Sequence, residues 1–442
     1  MKPNILFFLI DSLRSDRFHG DLKNSNTPNM DKLLKNGNFF SQAISCSDYT
    51  GPSIQAIFTG KFPFGCGLTK EHYYKVFSTA SNFLSLLKDN GYYTNAVLEE
   101  ALCRQGIEKP FDDYFEFKSS VNIHNGLEKI ILNNVPSDTR KPWFYYLHFM
   151  DLHKPCIVPK EHSHLKESQR YEYNLSIIDK CIGKILDKVD ISNTLVILTA
   201  DHGDYVSPID DGLKPSNKFE KIVKSTIKSI IPKSLKSRVH EKKQTMVNEI
   251  KVVGLSPHEK RGIHTRPMAD RFMFDDVVKI PLLFSGFGIN TPSVISSLVR
   301  NVDIFPTIFE LIKIPYSTGN INGQSLTPLF FGSGFKVKPA YMESSVIRTV
   351  QKNPKAVIGI RTEQFKYFRN IHDPNVNVHL YDLENDPHEE NNISDSNSKI
   401  ISDMENILKD IQATQSVENN TEVLSEEEEK ELEAELKKLG YI

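Results

Sequence analysis

Cysteine is scarce in this chain: five residues, Cys46, Cys66, Cys103, Cys156 and Cys181, at irregular spacing. They form neither a C-x-x-C pair nor a disulfide framework, which excludes a disulfide-stapled fold and suits a reducing compartment. An excess of one charge is also lacking. The formal net charge is −2, so nothing in the total points to nucleic acid. No apolar run is long enough to span a bilayer. The run near the N-terminus, Ile5 to Ile10, follows a single lysine and stops at Asp11 without a small-residue cleavage site. It does not read as a secretory signal. The expectation from these absences is a soluble, cytoplasmic protein, at most peripheral to a membrane.

At 442 residues the chain exceeds one simple core and suits one large domain plus a smaller one. Several continuous apolar runs are bounded by polar residues: Asn4 to Ile10, Trp143 to Met150, Thr194 to Ala200 and Ile280 to Ser285. Such runs are the pattern of strands buried on both faces. Tyr92 to Leu98 reads as a further strand. Helices fall between them: one opened by Thr27-Pro28 and closed by Gly37, one near Thr79 to Asn90, and one from about Ser168 to Lys188. The alternation predicts an α/β domain, a doubly wound, mostly parallel sheet flanked by helices, over residues 1–336. Short strands in Ala340 to Ser344, Ala356 to Arg361 and Phe365 to Phe368 predict a smaller α+β subdomain over 337–442 with an antiparallel sheet. It ends in a loose linker, Gln412 to Val423, and a helix from Ser425 to Leu439.

Residues 208–262 read as an insertion. Lys214 to Lys243 holds ten Lys/Arg against two Glu, with Phe219, Ile222, Val223, Ile227, Ile230 and Ile231 at helical spacing. This basic amphipathic segment suits a lid over an anionic substrate, a membrane-surface contact, or a solvated helix laid on the domain.

Three strand-like runs end in chemistry-bearing loops: Asp11, Asp151 with His153, and Asp201 with His202. In open α/β sheets sites form beyond the carboxyl ends of the strands, so parallel strands would gather these groups on one edge. A fourth stretch, Ser47-Asp-Tyr-Thr-Gly-Pro-Ser53, leads into a helix with Pro52 in its first turn. A hydroxyl at Thr50 would sit at the positive end of that helix, where an anion is favoured. The plainer readings are a Thr cap, Asp caps and satisfied structural histidines.

These stretches resemble the sulfatase-like branch of the alkaline phosphatase superfamily, in shared order along nearly the whole chain. The matching pieces include Asn4 to Asp16, Thr27-Pro-Asn-Met-Asp31, Pro52-Ser53 with Thr59-Gly60, and His148-Phe-Met-Asp-Leu-His-Lys-Pro155. Thr199-Ala-Asp-His-Gly203, Phe274-Asp-Asp276, Leu380 to Pro387 and Leu439-Gly-Tyr-Ile442 follow. The departure is at position 50. Sulfatases of this family carry Cys or Ser there and oxidise it to formylglycine. Here the residue is Thr50, with Ile54 in place of the motif's arginine, so no formylglycine is expected. Thr resembles instead the members that break or transfer phosphoesters, including phosphodiesterases and phosphoglycerol or phosphoethanolamine transferases.

The resemblance implies a divalent metal held by Asp11, Thr50, Asp201 and His202. Their oxygen-and-imidazole chemistry favours Zn²⁺ or Mn²⁺, with Ca²⁺ the metal of the sulfatases. Thr50 would be the nucleophile. His153 and His264 would touch the substrate anion, protonate the leaving alcohol or hold a second metal, with Asp151 beside them. Arg14 and Arg266 would contact phosphate, or form structural salt bridges. The expected substrate is a small anionic ester, on a glycan or lipid among the options, cleaved or transferred in two steps through Thr50. Two alternatives remain at this point: a sulfate-ester hydrolase using unmodified Thr50, and a non-catalytic homologue that kept the fold.

Overall fold

The structure, a computed structural model, describes residues 2–66, 83–137, 140–206, 256–261, 272–319, 321–344 and 356–413. His264, Arg266, residues 214–243 and the expected final helix lie outside the described residues.

Eight strands form one sheet: β1 (Asn4–Ile10), β2 (Gly37–Ile44), β3 (Tyr93–Glu99), β4 (Asp113–Phe117), β5 (Trp143–Phe149), β6 (Thr194–Thr199), β7 (Lys279–Gly286) and β8 (Ser293–Arg300). Their order is β4-β3-β5-β1-β6-β7-β2-β8. The first five run parallel; β7 is antiparallel to both neighbours, and β8 is parallel to β2. The apolar runs become central strands because helices cover both faces. From Ile5 to Ile10 every residue is fully buried. The helix Glu167–Leu186 packs one such face with Leu175, Ile178, Ile182 and Ile185.

The short helix Thr50–Thr59 is buried along its whole length. Packing, more than propensity, holds so short a helix. Phe58 meets the rings of Phe83, Tyr146 and Phe7 at centroid distances of 4.7, 5.3 and 6.3 Å. Gly60, at φ +68°, closes the helix in the left-handed conformation that favours glycine. Its N-cap is Tyr49, so Thr50 is the first helical residue and not the cap.

Gly37 does not act as a left-handed helix stop. The preceding helix, Pro28–Lys35, ends at Asn36, and Gly37 begins β2, where an added Cβ would lie 2.6 Å from the Phe284 carbonyl oxygen. Its job is close backbone approach. Strands β2, β4 and β8 were not expected. The pairing of β2 is interrupted by irregular register after Phe40, and β4 and β8 are edge strands that leave several side chains exposed. None of them carries a clean apolar signal.

The second sheet is antiparallel, in the order β12-β11-β10-β9, with β9 (Ala340–Glu343), β10 (Val357–Arg361), β11 (Phe365–Asn370) and β12 (His379–Asp382). It is pinned to the loop before Thr50, where Glu343 N–H donates to the Cys46 carbonyl at 2.9 Å. The helix Ser398–Ala413 runs through Gln412 and Ala413, two residues expected in a linker.

A buried ionic network joins the two sheets. Asp275 pairs with Lys366 and, at 3.3 Å, with Arg361; Asp276 pairs with Arg14 at 2.8 Å and Arg261 at 3.2 Å; Glu389 pairs with Lys366 at 2.7 Å. Each buried charge is compensated by partners from a different segment, the condition under which such groups are tolerated.

Candidate active site

Strands β5, β1 and β6 are adjacent and parallel, so their carboxyl ends open on one edge. Asp11 continues β1 directly, its N–H donating to the Phe149 carbonyl at 2.9 Å. The chain then turns at Ser12, held at φ +62°. That conformation costs a non-glycine residue roughly 1 kcal/mol and survives where several contacts enforce it. Here they do. Ser12 N–H donates to Asp201 Oδ1 at 3.2 Å, its hydroxyl to Asp11 Oδ1 at 2.5 Å, and its carbonyl accepts from Tyr171 Oη at 2.9 Å.

Thr50 enters from the helix above. Its Oγ1 donates to Asp11 Oδ2 at 3.2 Å and lies 3.4 Å from His202 Nε2. Ser53, one turn further on, fixes that helix to the β6 loop by donating to the Asp201 carbonyl at 2.6 Å. His202 Nδ1 is 2.7 Å from the Gly203 carbonyl. A carbonyl only accepts, so the neutral ring spends its N–H there and presents the Nε2 lone pair towards Thr50. Asp201 Oδ2 lies 3.4 Å from the same nitrogen and has no hydrogen-bond partner among the described residues. Two acceptors facing each other in a buried site call for positive charge between them.

A residue that sequence reasoning quoted but did not assign completes the cluster. His148, in β5, is buried, and one ligand atom each from Asp11, His148 and Asp201 lies within 4.8 Å of the others. His148 Nε2 has no hydrogen-bond partner among the described residues and is 3.8 Å from Asp11 Oδ2. The available signal was a polar residue near the end of an otherwise apolar strand. Burial opposes ionisation of Asp11, but His148, His153 and His202 outweigh it and hold that carboxyl well below the usual range. Burial, and next the charge of Asp11, push Asp201 up. One ionised and one destabilised carboxylate, an orphaned imidazole nitrogen and an orphaned carboxylate oxygen fit a divalent cation. Asp11, Asp201, His148, His202 and Thr50 are the residues that would hold it.

Asp151 and His153 lie on the loop after β5. His153 Nδ1 donates to the Lys154 carbonyl at 2.8 Å. The two residues line a recess with Glu99 at the end of β3, Phe117 at the end of β4, Lys154 and Ile157. Asp151 Oδ1 accepts from Ile123 N–H at 2.9 Å, while Oδ2 is buried without a hydrogen-bond partner among the described residues. Burial raises this carboxyl to about 6. His153 lines the recess and acts electrostatically on Asp11. Arg14 takes the salt-bridge option: it is bound by Asp16 at 2.6 Å and Asp276 at 2.8 Å and donates to the Asp204 carbonyl at 3.3 Å.

Solved structures with this fold include the phosphonate monoester hydrolase of Agrobacterium radiobacter, at TM-score 0.68, 15% identity, and 93% and 96% coverage of the two chains. BT4656, solved in complex with its substrate D-glucosamine-2-N,6-O-disulfate, superposes at TM-score 0.67 with 18% identity over 94% and 98%. In sequence, an arylsulfatase K from Bos taurus is 30% identical over 166 residues, 36% of this chain and 30% of that protein. An arylsulfatase K from Gallus gallus is 28% identical over 162 residues, 35% and 30%. The chain therefore spans about a third of the length of these curated relatives. An ulvan-active sulfatase from Formosa agariphila is 20% identical over 89% of this chain and 77% of its own. A model of the N-sulphoglucosamine sulphohydrolase C-terminal region matches residues 265–414, and the sulfatase model matches residues 3–314. With well over half of its length matched, the chain belongs to the sulfatase family.

Proposed function

We propose that this chain is a metal-dependent hydrolase or transferase of small anionic esters, phosphoesters in particular, with Thr50 as its nucleophile. The observation that carries the reading is the convergence on Thr50 Oγ1 of Asp11 Oδ2 at 3.2 Å and His202 Nε2 at 3.4 Å. Thr50 is not a residue that oxidises to formylglycine, so its own hydroxyl is the group available for attack. A bound divalent cation supplies charge stabilisation to the transferred group and favours the alkoxide of a coordinated hydroxyl. His202, its tautomer set by Gly203, would turn its Nε2 lone pair to the cation, and the Thr50 proton leaves along its hydrogen bond to Asp11 Oδ2. His153, which lines the recess, holds a proton for the leaving alcohol. Water or an acceptor hydroxyl then releases the group from Thr50.

The recess receives the leaving alcohol. Its carboxylates, Glu99 and Asp151, favour hydrogen-bond donors, and Phe117 and Ile157 give it apolar walls. That combination suits a sugar. The sugar sulfate named with BT4656 supports a glycan-linked ester. The cytoplasmic location and a membrane contact through residues 214–243 stay proposals. Liposome binding that is unchanged after deleting those residues would remove the second.

A sulfate-ester hydrolase is the second reading, favoured by the arylsulfatase K relatives. Purified protein should be assayed with Mn²⁺, Zn²⁺ and Ca²⁺ on aryl phosphate, phosphodiester, phosphonate and aryl sulfate substrates. Turnover of phosphorus esters above sulfate is expected. Sulfatase activity without phosphoesterase activity would overturn the choice.

A further inference from the structure

We infer that His148 is a direct metal ligand, that Tyr146 is its positioning residue, and that the resulting site prefers a first-row transition dication over Ca²⁺. This rests on the reading above that the cluster binds a divalent cation.

Tyr146 and His148 are two residues apart on β5 and so share one face of the sheet. That face meets the Thr50 helix, since Phe58 packs on the Tyr146 ring at 5.3 Å. His148 therefore points at the space beneath Thr50, where its Nε2 joins Asp11 and Asp201. Among the described residues nothing hydrogen-bonds to that nitrogen. The other ring nitrogen is 3.0 Å from Tyr146 Oη. A phenol both donates and accepts, so it supports either tautomer of the ring. A cation selects the one with its lone pair on Nε2, and Nδ1–H then donates to Tyr146 Oη. Ligating histidines are oriented in this way by a partner on the second nitrogen. Tyr146 is itself fully buried and wedged among Phe7, Phe58 and Phe111, so its hydroxyl cannot swing away.

His148 changes the chemistry of the donor set. Carboxylates and a hydroxyl alone suit Ca²⁺ or Mg²⁺, whereas imidazoles move preference towards zinc and its transition-metal neighbours. With His202, the cluster offers two imidazoles.

The test measures metal binding without turnover. Calorimetry with Mn²⁺ and with Ca²⁺ is run on the full chain, His148→Gln, His148→Ala and Tyr146→Phe, with thermal unfolding in chelator to confirm folding. Electron spin-echo spectroscopy of bound Mn²⁺ counts coupled nitrogens. The parent should bind Mn²⁺ more tightly than Ca²⁺. Both His148 variants should lose one of the two coupled nitrogens, that of His202 remaining, and about 10–100-fold in Mn²⁺ affinity, with Ca²⁺ affinity changed much less. Tyr146→Phe should weaken Mn²⁺ binding about 10-fold while keeping the coupling. Unchanged Mn²⁺ affinity and coupling in folded His148 variants would overturn the ligand assignment. Unchanged affinity in Tyr146→Phe would overturn the positioning role. A parent protein that binds neither ion would instead overturn the metal-dependent reading beneath both.

Discussion

Thr50 and Asp11 are 39 residues apart in sequence, yet the Thr50 hydroxyl donates to Asp11 Oδ2 at 3.2 Å in a fully buried setting. The contact exists because β1 and the Thr50 helix present their ends to the same point, one from the sheet and one from the layer above it. Removing the hydroxyl removes the proposed nucleophile while leaving the helix packed. Thr50→Ala should lose at least about 10³-fold in kcat, as for other nucleophile deletions. Thr50→Ser should keep a measurable part. Far-ultraviolet circular dichroism should match the parent in both. Turnover by Thr50→Ala within tenfold of the parent would remove Thr50 from the mechanism.

The Arg14–Asp276 pair ties the active-site loop to the network beneath the second sheet. Removing Asp276 leaves Arg14 and Arg261 short of a buried partner, so Asp276→Ala should cost about 3–5 kcal/mol by chemical denaturation. Burial alone would raise the Asp276 carboxyl; Arg14, then His258 and Arg261, outweigh it and hold it far below the usual range. Its contribution is therefore complete above the ordinary aspartate pKa, near 4, and is lost as pH falls towards the lowered value. The stability gap between parent and Asp276→Asn should be constant from pH 5 to 8 and shrink below about pH 4. A gap that stays constant in acid would refute the assignment.

Asp151 has the opposite sign. Burial raises it to about 6, so the unfolded chain ionises first as pH rises. The parent should lose stability between about pH 4 and 6, by up to roughly 3 kcal/mol at 1.36 kcal/mol per unit, and then level off. Asp151→Asn should lack this loss. Denaturation midpoints compared at pH 4 and pH 7 read it directly, and parallel curves for the two proteins would contradict it.

Gly203 supports His202 through its carbonyl, and an added Cβ would lie 2.2 Å from the Asp276 carbonyl oxygen. Gly203→Ala has to push the β6 loop away from that segment. We expect about 1–3 kcal/mol of lost stability and a larger proportional loss of activity, because the His202 ring moves with the loop. A crystal structure of the variant with His202 in place would count against this.

Much of the scaffold was legible in the amino-acid order, and for a clear reason. A strand buried on both faces is largely apolar, and β1, β6 and β7 are, as is β5 apart from His148. The acidic and histidine residues that end three of these runs stood out against them. Strands β2, β4 and β8 did not, since an edge or irregularly paired strand need not be apolar throughout. His148 was missed for a related reason: within a strand, one polar residue reads as an interruption until a partner is seen across the sheet.

The chain order by itself determined the parallel sheet, the loops that bear Asp11, Asp151 and Asp201, and the threonine at position 50, because each depends on local composition or on residue identity. Tertiary structure alone decided which groups share one point in space. It turned His148 inward to face Asp11 and Asp201 and placed Glu99 beside Asp151 in the recess. It also drew Arg14 away to Asp276. Strand order, register and the direction of a side chain are properties of the assembled sheet, and no short stretch of sequence holds them.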